Sequence, residues 1–182
     1  MKFIKTEIKD LYVIQPEPFK DQRGAFSRVY CANELKEIKH TKDIVNINHS
    51  LTTRKGTIRG MHFQYPPKSE IKIVKCIKGS VYDVAIDLRK HSLTFLKWHA
   101  EILSAENMKM LYIPEGFAHG FQTLEDNSEL FYFHTEFYSP DHESGVRYND
   151  PKINIKWPLE RTEISDKDQN LKLLNDKFEG IE

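Results

Sequence analysis

The sequence predicts an all-β sandwich or barrel, on three observations. Strand-like runs are short, they recur at close intervals, and only two stretches have helical character. Leu11–Pro16 is the first run and Asp43–Ser50 the second, with a helical segment, Ala32–Lys39, between them. Ile71–Ile77, interrupted by Lys72 and Lys75, stops at Gly79; Val81–Leu88 follows at once, so the two read as a hairpin. Met108–Ile113 ends at Pro114, and Phe121–Leu124 ends at Asp126 and Asn127. The long aromatic run Glu129–Tyr138 ends at Pro140. A second short helix starts after Ser165, which suits an N-cap, with Asp166 and Asp168 in the first turn. The tail, Leu171–Glu182, is charged and is expected to pack weakly.

The 182 residues suit one domain, 1–182, with the short helical segment from about 165 near its end. Repeats, low-complexity tracts and Gly/Ser-rich linkers are absent. A hydrophobic share of 39% and an aromatic share of 12% suffice for a core. Basic and acidic side chains number 27 each, and the net charge of zero excludes a uniformly basic nucleic-acid binder and an acidic disordered tail. No apolar run approaches the roughly 20 residues of a membrane span. The start, MKFIKTEIKD, lacks the apolar stretch of a secretory signal. Cys31 and Cys76 form no CxxC motif and suggest no disulfide framework. The reading is a soluble cytoplasmic protein with free thiols.

The zero conceals a split. Residues 1–90 carry 18 basic and 10 acidic side chains, a net of +8, and residues 91–182 carry 9 and 17, a net of −8. One reading is chance plus salt bridges between strands. The other is that the first half supplies a wall that meets an anion.

Two histidine segments stand out, Arg59-Gly60-Met61-His62-Phe63-Gln64 and Pro114-Glu115-Gly116-Phe117-Ala118-His119-Gly120-Phe121. Glycine beside histidine permits a sharp turn and close backbone approach to a ligand. A lone histidine near a strand end is most often structural; two in similar Gly-rich settings weaken that reading. Gly56 followed by His62, and Pro114-x-Gly116-x-x-His119, resemble the two halves of the cupin signature. Metal-binding cupins add a second histidine and a glutamate. Here Gln64 takes the first of those positions, and Glu70 is one residue off the usual spacing. A transition metal wants three or four good donors, and His62 with His119 has a poor third, so no metal is expected.

A closer resemblance spans nearly the whole chain. Asp21-Gln22-Arg23-Gly24-Ala25-Phe26, Asn48-His49-Ser50, Gly56 through Gln64, Asp83 through Arg89 and Pro114 through Phe121 carry it. Asn149-Asp150-Pro151, Trp157-Pro158-Leu159 and Ser165-Asp166-Lys167-Asp168 complete it. In this order and spacing they resemble the dTDP-4-dehydrorhamnose 3,5-epimerase family of nucleotide-sugar enzymes. The resemblance implies a cupin-like jelly-roll β-sandwich with short peripheral helices, a homodimer, and no metal or organic cofactor. It implies an isomerase that inverts C3 and/or C5 of a nucleoside-diphosphate 4-keto-6-deoxy sugar, in cell-surface polysaccharide synthesis.

The C4 ketone acidifies the neighbouring C–H bonds, so a base must take a proton from one face and an acid return one to the other. His62 is the expected base, because an imidazole titrates near neutrality. Asp168 resembles its carboxylate partner, which fixes the tautomer and stabilises the imidazolium. Tyr132 matches the proton donor, and its period-2 neighbours Leu130 and His134 should share its face. Lys72 faces away from Ile71 and Ile73; if that side is the interior, its ammonium can stabilise an enolate. Arg59 and Arg23 resemble diphosphate and nucleotide contacts, suited to bidentate, charge-assisted bonds. Tyr138 resembles the aromatic that stacks on the base, and Phe19 adds an apolar wall. Asn48, His119, Glu143 and Lys167 are further candidate contacts.

The sequence departs from the family where Arg28 replaces a usual Glu and Asn46 a usual Gln, both implied in nucleotide recognition. The base is therefore left open among dTDP, CDP and GDP sugars, and so is whether C3, C5 or both are inverted. Two alternatives stand beside the epimerase. One is a metal-dependent cupin enzyme using His62, Gln64, Glu70 and His119. The other is a non-catalytic sugar-nucleotide module, against which His62, Tyr132 and Asp168 together argue.

Overall fold

A computed structural model describes residues 1–182. The strands are β1 (Lys2–Lys5), β2 (Tyr12–Gln15), β3 (Phe19–Asp21), β4 (Gly24–Phe26), β5 (Asn46–Thr52) and β6 (Ile58–Gln64). They continue with β7 (Lys72–Lys78), β8 (Ser80–Asp87), β9 (Trp98–Ser104), β10 (Met110–Ile113), β11 (Phe117–Thr123), β12 (Ser128–His134) and β13 (Glu143–Gly145). The helices are α1 (Ala32–Leu35), extended by a 3-10 turn at Lys36–Ile38, and α2 (Asp166–Gln169). No helix is long and apolar enough to cross a membrane.

Six strands form one antiparallel sheet in the order β1-β2-β10-β7-β12-β5. Five form a second, β13-β6-β11-β8-β9, and β3 pairs with β4 as a separate hairpin. The two sheets face each other across a core in which Val74, Cys76, Leu111 and Leu130 meet Val81, Ala85, Phe117 and Phe121. This is the expected jelly-roll sandwich. The period of two sorts each strand: on β7, Val74 and Cys76 point between the sheets while Ile73 points out, and on β12 Leu130 points in while Phe133 points out.

Both outer faces are also covered. Ile14, Ile73, Met110 and Phe133 pack under Leu35 and partly buried Ile38 and Ile44. That explains α1: its one buried residue, Leu35, docks on the sheet, and each such burial contributes roughly 1.5–3 kcal/mol. On the other side, Met61, Phe63, Val84 and Ile86 lie under Val146, Ile153, Ile155 and Ile181.

Three expectations need correction. β7 and β8 do not form a hairpin: β7 pairs with β10 and β12, whereas β8 pairs with β11 and β9. Gly79 does make a sharp turn, at φ +72°, but the chain crosses there from one sheet to the other. The aromatic run after Glu129 stops pairing at His134, because Glu136 to Ser139 turns away toward β13. The tail does not pack weakly. Partly buried Leu174 and Phe178 and buried Ile181 complete the outer layer, and Ile181 bridges to Arg89.

Candidate active site

The five-stranded sheet builds one wall of a cleft of about 910 Å³. His62 on β6 and His119 on β11 are direct cross-strand partners, so their side chains rise on the same face. The next pair is Phe121 with Arg59, so three steps on β6 match two on β11, an irregularity of the bulge type. It brings Arg59 onto the face of His62, although they are three residues apart, and both line the cleft. Glycine makes this possible. Gly60 has φ +125°, and a Cβ there would sit 2.5 Å from the Gly120 Cα.

α2 supplies the carboxylate behind His62. Ser165 caps it through its Oγ, which accepts from the Asp168 amide at 3.1 Å. Asp168 is 4% exposed, and its Oδ2 accepts from the Gly60 amide at 3.0 Å. Its Oδ1 lies 2.8 Å from His62 Nε2. Burial pushes the Asp168 carboxyl upward, but the bonds from His62 and Gly60 outweigh it and hold the group below the usual carboxylate range. An ionised carboxylate only accepts, so His62 in its neutral form carries its proton on Nε2 and the lone pair on Nδ1, which bonds to nothing in the chain. His119 repeats the arrangement, with Nε2 2.9 Å from the buried Asp83 Oδ1.

The six-stranded sheet builds the opposite wall. Tyr132 on β12 points inward as its period predicts, and its hydroxyl lies 3.0 Å from Ser50 Oγ on β5. Burial raises the Tyr132 phenol well above its ordinary value, and the Ser50 bond opposes this in part. Lys72 is 9% exposed and lines the cleft, so its side of β7 is the interior one. Its Nζ meets Glu70 Oε1 at 3.0 Å. Asn48 lines the same wall, and its Nδ2 is 3.3 Å from His134 Nε2.

Other candidates fall at the rim or outside. Arg59 donates to Thr52 Oγ1 at 2.9 Å and to the Leu51 carbonyl at 3.3 Å, and bonds no carboxylate. Lys167 lines the cleft and grips both oxygens of Glu143 at 2.7 Å, and Tyr138 donates to Glu143 at 2.7 Å. The three form a linked group at the rim, with Tyr138 64% exposed. Arg23 and Phe19 lie on the β3–β4 hairpin, away from the cleft, with Arg23 paired to Asp21 and Phe19 80% exposed. Arg28 pairs with Glu34 outside the cleft, and Asn46 opens β5 without lining it.

The donors of the metal alternative do not converge. Gln64 spends its amide on the Lys68 and Phe137 carbonyls and the Ser139 amide, anchoring a loop. Glu70 faces Lys72 and His134. No cluster of three or more His, Cys, Asp or Glu side chains is arranged to hold a metal ion.

Sequence reasoning gave no role to Ser50, Asp83 or His134, and placed Glu70 only in the metal alternative. Ser50 was findable, since its period-2 relation to Asn48 puts both on the inward face of β5. Asp83, at the head of its motif, offered no signal for which histidine it meets.

The sequence pattern described as dTDP-4-dehydrorhamnose 3,5-epimerase matches residues 5–176. The chain is 46% identical over 171 residues to the dTDP-4-dehydrorhamnose 3,5-epimerase of Shigella flexneri, covering 93% of this chain and 94% of that one. It is 42% identical over 178 residues to that of Methanothermobacter thermautotrophicus, covering 96% and 95%. The crystal structure of the Bacillus anthracis enzyme with TDP and PPi bound superimposes with TM-score 0.92 at 43% identity, covering 95% of this chain and 99% of that one. The Legionella pneumophila enzyme in complex with dTDP-4-keto-L-rhamnose gives TM-score 0.90 at 38% identity, covering 94% and 92%. With a family match over nearly its full length and relatives this similar, the chain belongs to the dTDP-4-dehydrorhamnose 3,5-epimerase family.

Proposed function

We propose that this chain, a single domain over residues 1–182, inverts C3 and C5 of a dTDP-linked 4-keto-6-deoxy sugar. One observation carries the reading: the His62–Asp168 dyad stands on one wall of a cleft and Tyr132 with Lys72 on the other. A base and an acid on opposite walls suit inversion, which removes a proton from one face and returns one to the other.

His62 Nδ1 takes the proton from the carbon beside the ketone and becomes imidazolium, stabilised by ionised Asp168. The C–H electrons move to the C4 oxygen, and the Lys72 ammonium stabilises the enolate. Tyr132, kept protonated by burial, gives its proton to the opposite face. Ser50 and Arg59 favour the phenolate left behind, and solvent restores it. Arg59, with Lys167 at the rim, offers cationic donors for a diphosphate.

The dTDP choice follows the named relatives, and Arg28 does not oppose it, since Glu34 already balances its charge. The working unit in this reading is a cytoplasmic homodimer. The exposed hairpin residues Phe19, 80% exposed, and Phe26, 73% exposed, and the edge-strand residues Ile47 and Leu51 offer apolar surface for a second copy. In a dimer, Phe19 and Arg23 are free to meet nucleotide at a neighbouring cleft. Incubation with dTDP-, CDP- and GDP-linked 4-keto-6-deoxy sugars, followed by NMR, tests substrate and outcome together. Products inverted at C3 and C5 from the dTDP sugar alone are expected. A single inverted carbon, or preference for CDP or GDP, would overturn that part of the reading.

A further inference from the structure

We propose that Glu70 and His134 are positioning residues for Lys72, and that the His134 imidazole sets the net charge of the wall that meets the enolate. The inference rests on the epimerase reading for its chemistry, and on a three-residue chain for its geometry. His134 and Lys72 are direct cross-strand partners on β12 and β7. Glu70, just ahead of β7, reaches both: Oε1 lies 3.0 Å from Lys72 Nζ and Oε2 2.6 Å from His134 Nδ1. The far side of the ring, Nε2, lies 3.3 Å from Asn48 Nδ2, and the ring face stacks on Tyr132 with centroids 6.1 Å apart at 26°. His134 and Lys72 line the cleft, whereas Glu70 does not. The carboxylate is thus a half-buried bracket behind two cleft-facing nitrogen groups.

The consequence is electrostatic. Burial works against the Glu70 carboxylate, but the bond from His134 and the charge of Lys72 keep it ionised. With His134 neutral, Glu70 and Lys72 cancel, and the wall presents only a dipole. With His134 protonated, one carboxylate is shared by two cations and the wall is net positive. Only the second state gives a developing enolate a full opposite charge in a site of reduced dielectric. The charged and titratable groups that surround His134 or share its cleft come from every wall. Glu70 and Lys72 come from β7 and its approach and Tyr132 from its own strand; across the cleft stand Arg59, His62 and His119 of the second sheet and Arg161, Glu163, Lys167 and Asp168 of α2 and its approach, while β5 contributes neutral Asn48.

The test compares pH profiles of kcat for solvent-proton exchange into the dTDP 4-keto sugar, for the whole chain and for His134→Gln. In the unaltered chain, exchange needs His62 as a free base and His134 as a cation, so the profile has an acid limb and an alkaline limb. In His134→Gln the alkaline limb leaves the imidazole range, and kcat changes more than KM. A uniform loss at every pH, or an unmoved alkaline limb, would overturn the proposal. Should the variant not fold, or the unaltered chain exchange no sugar, NMR decides the matter on the chain itself. In the first case only this inference is at stake, and in the second the epimerase reading falls while the linkage is judged separately. The Glu70 carboxyl carbon and Lys72 ammonium nitrogen are expected to shift together with His134. Independent titrations would defeat the linkage.

Discussion

Asp168 ties a four-residue helix to the wall of the cleft. Its carboxyl is held low by His62 and the Gly60 amide against the pull of burial. A carboxylate depressed on folding adds stability that is complete above its unfolded value, near 4, and is lost as pH falls through the folded value. Asp168→Asn should therefore remove that part of the acid sensitivity, seen as a flatter stability curve below about pH 4 in urea titrations. The same change should lower kcat on the order of 10²–10⁴-fold, because an amide no longer holds the imidazolium. Tyr132 has the opposite sign. Its folded value is raised, so its contribution is complete below about pH 10 and is lost as pH climbs past that. Tyr132→Phe should soften alkaline unfolding above about pH 10, as measured by circular dichroism. The structure brings His62, Asp168, Tyr132 and Lys72 to one cleft; His62 and Lys72 stood out in their own segments, whereas Asp168 and Tyr132 were expected there only through the family resemblance. The Glu70 bracket was not legible, since spacing does not say which carboxylate a folded sheet brings to which imidazole.

At the scale of elements, the paired bulge at Gly60 and Gly120 fixes where His62 and Arg59 point. Gly60→Ala meets both a positive φ and backbone atoms at 2.5 and 2.9 Å. It should cost at least about 1–3 kcal/mol in urea unfolding and lower activity in the surviving folded fraction. β7 carries a second test. Cys76 is buried between the sheets, and burial pushes its thiol up to about 11. A thiol reagent at pH 7.5 to 8 should label only Cys31 in native protein and both cysteines in denaturant. Most strands were readable because β-branched and aromatic residues alternate and stop at Gly, Pro or Asn. β9 was missed because Trp98-His99-Ala100-Glu101 mixes polarity on an edge strand that buries only Leu103 fully. The β7–β8 hairpin was misread because a positive-φ turn looks the same whether it closes a hairpin or carries the chain between sheets.

For the whole molecule, the charge split has two causes. Lys42, Arg54, Lys68, Lys78 and Lys90 pair with glutamates of the second half, as simple salt bridging predicts. Arg59 remains outside such pairs and faces the cleft, as an anion-meeting wall predicts. The proposed dimer is tested by sedimentation: unaltered chain should run as a dimer at micromolar concentration, and Ile47→Glu should shift it toward monomer. A monomeric unaltered chain would contradict that proposal. The central claim, an acid and a base on facing walls of one cleft, is tested most directly in D2O with the dTDP 4-keto sugar, following C3 and C5 by NMR. Deuterium is expected at both carbons with the unaltered chain and at neither with His62→Ala. With Tyr132→Phe, product formation should slow more than loss of the substrate's own protons. Exchange that survives His62→Ala, or wild-type product rates from Tyr132→Phe, would contradict it.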